Sequence, residues 1–258
     1  MKLYLKYLSM HLKSILEYKK VFILSVISQI ATSLFALTAI FFLFNKFGNI
    51  KGYTFDNVLI CFSISFLGFS LAEAFFRAFD EFDKMIGNGE FDRILVRPRN
   101  LILQVLGTEI MFEKFGRAFA ALTICIIVVV NNPMLISFDK LIVLFFMIVG
   151  SVVIYSSLMI LKAGITFFTT QSLEIMNIFT DGSRDLAQYP LDIYQEWVRK
   201  FFTYILPLAL VNFYPLQYLI GNTDNILFGM LPVFSLLFII PCLAVWKIGV
   251  RKYKSTGS

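Results

Sequence analysis

Residues 21–44 read VFILSVISQIATSLFALTAIFFLF, an uncharged run whose polar side chains are Ser, Thr and one Gln. A helix needs about 20 mainly apolar residues to cross a hydrocarbon core of about 30 Å. This run meets that length, so it reads as a spanning helix. It is also too long for the core of a signal peptide, and the first twenty residues lack a small-residue cleavage site. No cleavable leader is expected.

Six further apolar runs follow, at 58–72, 118–130, 141–161, 163–179, 201–220 and 226–246. Flanking side chains that snorkel to the interface can complete the shorter ones. Hydrophobic residues make up 58% of the chain, charged residues only 16%, and mean hydropathy is +0.77. No soluble globular class has that balance. The chain is expected to be all-α and polytopic, a single domain over 1–258.

Charge placement orients it, because Lys and Arg are retained on the cytoplasmic side. Lys2, Lys6, Lys13, Lys19 and Lys20 mark one end, and Lys247, Arg251, Lys252 and Lys254 the other. Arg77, Lys84, Arg93, Arg97, Arg99, Lys114 and Arg117 cluster around the connection between the second and third runs. All three regions belong inside, whereas 45–57 and 131–140, with only Lys46, Lys51 and Lys140, suit the outside. Two cytoplasmic ends require an even number of spans, so one of the seven runs does not cross. Pro207 and Pro215 interrupt 201–220, and Pro breaks a helix interior. Irregular backbone at membrane depth survives only when covered by protein or lining a cavity. Six transmembrane helices are therefore expected, with 183–222 as an outer re-entrant element. The alternative makes 163–200 cytoplasmic and 201–220 the fifth span.

Within residues 1–20, Lys2, Lys6, Ser9, Lys13, Glu17 and Lys20 recur every three or four positions, with Leu5, Leu8, Leu12, Ile15 and Leu16 on or near the opposite face. That pattern fits an amphipathic interfacial helix, with a soluble cap helix as the alternative. His11, the single histidine, has no acidic or Cys neighbours of the kind a ligand or base needs. Cys61, Cys125 and Cys242 lie in separate apolar runs without CxxC spacing and read as buried small apolar residues, not metal ligands. No phosphate-cradling GxxxxGK[ST], GxGxxG or HExxH motif occurs. The chain has no catalytic residues to offer, and any ATP site belongs to another protein.

The most distinctive cytoplasmic stretch is GNGEFDRILVRPRN at 87–100, leading to QVLG at 104–107. Gly87 and Gly89 flank a short helix, Pro98 stops it, and a second helix leads to the next span. On its own this is either a solvated basic loop or a docking helix. GEFDRILVRPRNLILQVLG resembles the segment after the second helix of ABC-2-type exporter permeases, and more closely the branch with LDRILLRP-like sequences. YPLDIYQEWVRKFFTYILPLALVNFYPLQYLIG at 189–221 and WKIGVRKYKSTGS at 246–258 resemble the same branch, so the likeness spans most of the chain. It implies that 81–100 is a coupling loop, with Gly87, Gly89, Glu90, Phe91, Asp92, Arg93, Leu95, Arg97 and Pro98 facing an ATPase. It further implies a cytoplasmic ABC ATPase dimer carrying ATP and Mg, a second permease subunit, different or identical, and outer re-entrant helices before the last span. No cofactor is expected on this chain, and no nucleic acid.

Inside the spans, Glu73 and Arg77 are four apart on one helix face, either a gating or subunit contact or a self-satisfied pair. Glu174 sits in the fifth run with Gln171 and Asn177 three residues to either side. Asp181, Arg184, Asp185, Tyr189, Pro190, Asp192, Tyr194, Glu196, Trp197, Arg199 and Lys200 mix charges with interfacial aromatics. They are expected at the outer leaflet, with Tyr189, Pro190, Trp197, Pro207 and Pro215 as an exit gate. Few intramembrane charges and many Phe suggest a hydrophobic or amphipathic cargo. Richness in Lys, Ile, Phe and Asn suggests a bacterial source, and hence a bacterial inner membrane. The rivals are an ion-coupled secondary transporter and a non-transporting scaffold.

Overall fold

The computed structural model describes the backbone of residues 2–169 and 174–255, and side chains over 4–169 and 176–255. Helix α1 (Lys2–Glu17) turns at Tyr18 into α2 (Lys19–Phe47), which Gly48 ends with a positive φ of 72°. Helix α3 (Phe55–Asp80) starts at Thr54, whose hydroxyl accepts from Asn57 N. Short helices α4 (Phe82–Gly87), α5 (Glu90–Leu95) and α6 (Leu101–Thr108) follow, then α7 (Lys114–Asn131) and α8 (Phe138–Thr166). Helix α9 (Glu174–Asn177) runs through a π-helical turn (Ile178–Gly182) into α10 (Ser183–Leu186). The chain ends with α11 (Glu196–Tyr204), α12 (Phe213–Leu219), α13 (Ile226–Ser235) and α14 (Ile239–Lys252). Among the described residues there is no strand.

Five stretches are long and apolar enough to cross a membrane: Lys19–Phe47, Phe55–Gly87, Lys114–Asn131, Phe138–Thr166 and Ile226–Lys252. The second is mostly buried and forms the axis, with α7 and α8 packed on it, whereas α2 is nearly bare. Small residues set these approaches. A Cβ at Gly116 would meet the Val26 carbonyl at 2.7 Å, and one at Gly150 would meet Ser235 Oγ at the same distance. Such close backbone contact lets helices associate where lipid supplies no hydrophobic drive.

The expected run at 163–179 does not form one helix. Helix α8 continues through Lys162 to Thr166, and residues 170–173, with the expected polar position Gln171, lie outside the described residues. The next helical stretch is Glu174–Leu186, shifted towards the C-terminus. Arg184 and Asp185 are consequently near half-height instead of at the outer rim, and Asp181 lies lower still, in a cavity with Arg77, Asp80 and Lys84. Arg184 lies over the Phe69 ring at 4.8 Å, and Ser65 Oγ donates to Ala187 O at 2.8 Å, near the middle of α3.

Beyond 187 the chain climbs to the end carrying the 48–54 turn, where Tyr53 donates to Asp192 Oδ2 at 2.9 Å. Helix α11 then descends, with Phe201 stacked on Phe179 at 6.0 Å. A 3-10 turn at Pro207–Leu210 sits at half-height against α8, and Asn212 bonds to Ala187 O. Helix α12 returns, so that Lys140 Nζ donates to Leu219 O at 2.9 Å. The segment dips to the middle of the bundle and comes back on the same side. Pro207 and Pro215 are buried, so this broken backbone is covered by protein.

Candidate functional site

Two features stand out at the end of the bundle where α3 stops, and they share that helix. The first is a knob made by α4, α5 and α6. Gly89, with φ 65°, makes the reversal between α4 and α5, a backbone shape that costs glycine little. Phe91 then points into the body, fully buried. Its ring meets Phe82 at 5.0 Å, Phe167 at 5.3 Å and Tyr253 at 5.2 Å, while Trp246 closes on Phe82 at 4.9 Å and on Phe79 at 5.0 Å. These edge-on contacts, in the range aromatic pairs prefer, bolt the knob to α3, to the end of α8 and to α14.

The C-terminal tail adds a strap. Ser255 Oγ donates to Asp92 Oδ2 at 2.7 Å, and burial, with Asp92 nearby, pushes the Tyr253 phenol above its ordinary pKa. Gln104, buried in α6, donates to the carbonyls of Arg99 at 3.2 Å and Ile94 at 3.5 Å, and Asn100 Oδ1 caps α6 by accepting from Leu103 N. The turn at 95–100 is therefore held in one shape and projects outwards.

Of the nine residues expected to face a partner, the knob divides the set. Gly87, Arg93, Leu95, Arg97 and Pro98 are exposed, with Val96, missed from sequence, 82% exposed at the tip. Gly89, Glu90 and Asp92 are half-buried, and Phe91 is not available to any partner.

The second feature is a network of buried charge. Glu73 and Arg77 do share a face, but each finds better partners than the other, 3.5 Å away. Glu73, 6% exposed, accepts from Lys114 at 2.7 Å and from Arg117 of α7, whose Nε also donates to Ser70 Oγ at 2.8 Å. Arg77 turns to Asp80, at 2.8 Å, and to Glu81. Asp80 also accepts from Lys162 of α8 at 2.8 Å, and Lys162 donates to Asn177 Oδ1 at 2.8 Å. A cavity of about 220 Å3 opens between Arg77, Asp80 and Lys84 on one side and Lys162, Asn177 and Asp181 on the other. Each buried charge has an opposite charge at hydrogen-bond distance, the condition for tolerating ions at that depth. Glu174 lies in α9, and its side chain is outside the described residues.

Sequence reading missed Asp80, Lys114, Arg117 and Lys162 as members. The signal existed for one of them: Lys162 is the only charge between Lys140 and Glu174. A lone lysine in such a run needs an acid from another helix.

The expected gate residues do not form one site. Pro190, Pro207 and Pro215 are buried and Tyr189 is half-buried, whereas Trp197 is 67% exposed and bonds only its neighbour Gln195. What ties the end opposite the knob is Tyr53, which receives a hydrogen bond from Gln217 while donating to Asp192. Burial first, then Asp192, raises the Tyr53 pKa, so the phenol stays a donor. Among the described residues no group of His, Cys, Asp or Glu is placed to hold a metal ion.

An all-helical bundle with apolar spans, a paired charge network at one mouth and a stapled knob beside it defines a multi-pass membrane protein. Residues 27–257 match the ABC-2 family transporter protein family, and the chain belongs to it. It is a membrane transport subunit. No curated protein and no solved structure matches the chain.

Proposed function

We propose that this chain is the permease of an ATP-driven exporter in a bacterial inner membrane, with six spans, both termini cytoplasmic, and half of the translocation path. ATP and Mg are bound and hydrolysed by a separate dimeric ATPase that grips the tip of the knob. A second permease, different or identical, completes the path. The observation that carries the coupling role is the seating of Phe91. A partner pulling on Arg93, Val96 and Arg97 moves an element bolted to α3, α8 and α14 together, so the force reaches three spans at once. Such transmission requires the partner to contact the knob differently in its two nucleotide states. The re-entrant segment then forms the moving outer half, with Trp197 at its exposed edge.

The ion-coupled reading finds less support. Glu73 is held by two cations and is poorly suited to carry protons. The test is affinity purification from native membrane in mild detergent, with mass spectrometry of the accompanying chains. Arg93→Glu and Val96→Asp serve as variants, since both residues are exposed. An ATP-binding chain present with the wild type and lost from both variants is the expected result. Its absence throughout, with the protein folded, would overturn the exporter reading.

A further inference from the structure

Helix α1 has three faces, and among its described side chains one face packs on the rest of the chain. Tyr7 and His11 point at α6. His11 Nε2 donates to the Gly107 carbonyl at 3.1 Å, and any side chain at Gly107 would collide with the Tyr7 ring. One row round the helix, Leu5, Leu12 and Leu16 are 60%, 47% and 62% exposed. The next row carries Lys6 and Lys13, both exposed, and Lys19 and Lys20 follow at the start of α2. Spacings of four and seven residues keep each row on one stripe.

We propose that α1 is a foot that binds acidic phospholipid headgroups of the adjacent leaflet and sets the position of α6, the second arm of the knob. The lipid part stands on α1 alone, whereas the effect on the arm rests on the coupling role proposed above. The occupant follows from connectivity and charge. Helix α1 joins the spanning α2 through Tyr18 alone, so it stays at the membrane surface, and its bare leucine row lies at the acyl boundary. A neutral bilayer would satisfy those leucines equally. The lysine row beside them is what calls for anionic headgroups, and Glu17 is the one acid on the helix. Each lysine near an anionic surface contributes about fivefold in partitioning, an effect that salt screens over about 10 Å at 0.1 M. The tight Tyr7–Gly107 approach and the His11 bond leave α1 no slack against α6, so its seating is passed to the arm.

The test uses the full chain with its co-purifying partners in nanodiscs of phosphatidylcholine, alone or with a third replaced by phosphatidylglycerol. Ser9→Cys, between the leucine and lysine rows and exposed, carries a polarity-sensitive dye, and the native Cys61, Cys125 and Cys242 are buried. A blue shift with phosphatidylglycerol, reversed by salt and lost in Lys6→Gln/Lys13→Gln, is expected. ATP hydrolysis by the complex should rise several-fold with phosphatidylglycerol, and stay flat in that double variant. A dye signal indifferent to lipid charge overturns the foot, as does one that responds only when a protein partner is added. A responding dye with flat hydrolysis overturns the link to α6. A responding dye in a preparation without any ATPase supports the foot and counts against the exporter reading instead.

Discussion

Glu73 illustrates what a single residue settles. It is buried among Lys114, Arg117 and Arg77, so removing its charge leaves two nearly buried cations facing hydrocarbon and protein. Breaking a buried pair from one side costs about 3–5 kcal/mol. Glu73→Gln is expected to lower the midpoint of thermal aggregation in detergent sharply, and an unchanged midpoint would mean that water reaches the site. Phe91 obeys a different rule. Its ring fills an aromatic pocket, so Phe91→Ala should cost about 3–5 kcal/mol, seen as rapid proteolytic cleavage of the 82–100 region. Val96→Asp should leave cleavage unchanged while abolishing capture of the partner. Sequence alone treated Phe91 and Arg93 as equivalent surface residues. Whether Phe91 faces a partner or the body depends on Trp246 and Tyr253, more than 150 positions away in the chain.

At the level of elements, hydropathy locates most of the helical runs, and Pro207 and Pro215 mark broken backbone that the structure covers with protein, because desolvated backbone leaves few solutions. A lone charge is a poor boundary, however. Lys162 divided two apolar runs on paper, yet α8 passes through it, since Asp80 and Asn177 neutralise and hydrogen-bond the ammonium. The same helix meets α14 at Gly164 and Gly249, where an added Cβ at Gly164 would sit 3.0 Å from Trp246 N and one at Gly249 would strike the Phe167 ring. Gly249→Leu must therefore push α14 away and loosen the aromatic seat of the knob. The expected readout is a red-shifted Trp246 emission, with Trp197 replaced by Phe to isolate the signal. An unshifted spectrum would show that the seat does not depend on this crossing. The end of α6 offers a pH test. Burial, reinforced by Glu81, raises the Glu109 pKa above its ordinary 4.5. A raised acid favours the folded state fully below that value, and the benefit is lost as pH rises through the folded pKa. Glu109→Gln should thus stabilise the protein at neutral pH and make no difference in acid below the ordinary value.

For the whole molecule, the telling feature is a side that carries exposed charge. Asp185 exposes 57% of its side chain near half the height of the bundle, and Asp181, 54% exposed, sits one turn nearer the cavity beside Arg77 and Asp80, with Arg184 between them and tucked over Phe69. A charged side chain at the centre of a bilayer costs about 2.5–3.5 kcal/mol on insertion scales, so lipid is a poor neighbour for this face. The second subunit or the water-filled path of the proposed exporter would be a better one. Elsewhere the surface behaves as lipid-facing surface should, with Phe35 of α2 and Phe145 of α8 bare and uncharged. This asymmetry gives a direct prediction for the assembled complex. Asp185→Cys should react with a charged, membrane-impermeant thiol reagent, and the reaction should fall when the transport path is occupied. Phe145→Cys should react only with a lipid-soluble maleimide. Lys51→Cys and Arg97→Cys should react from opposite sides of sealed vesicles. Protection of position 185 from both kinds of reagent would place a dry subunit contact there, and labelling by the lipid-soluble reagent alone would return that face to the bilayer and remove the case for a shared path.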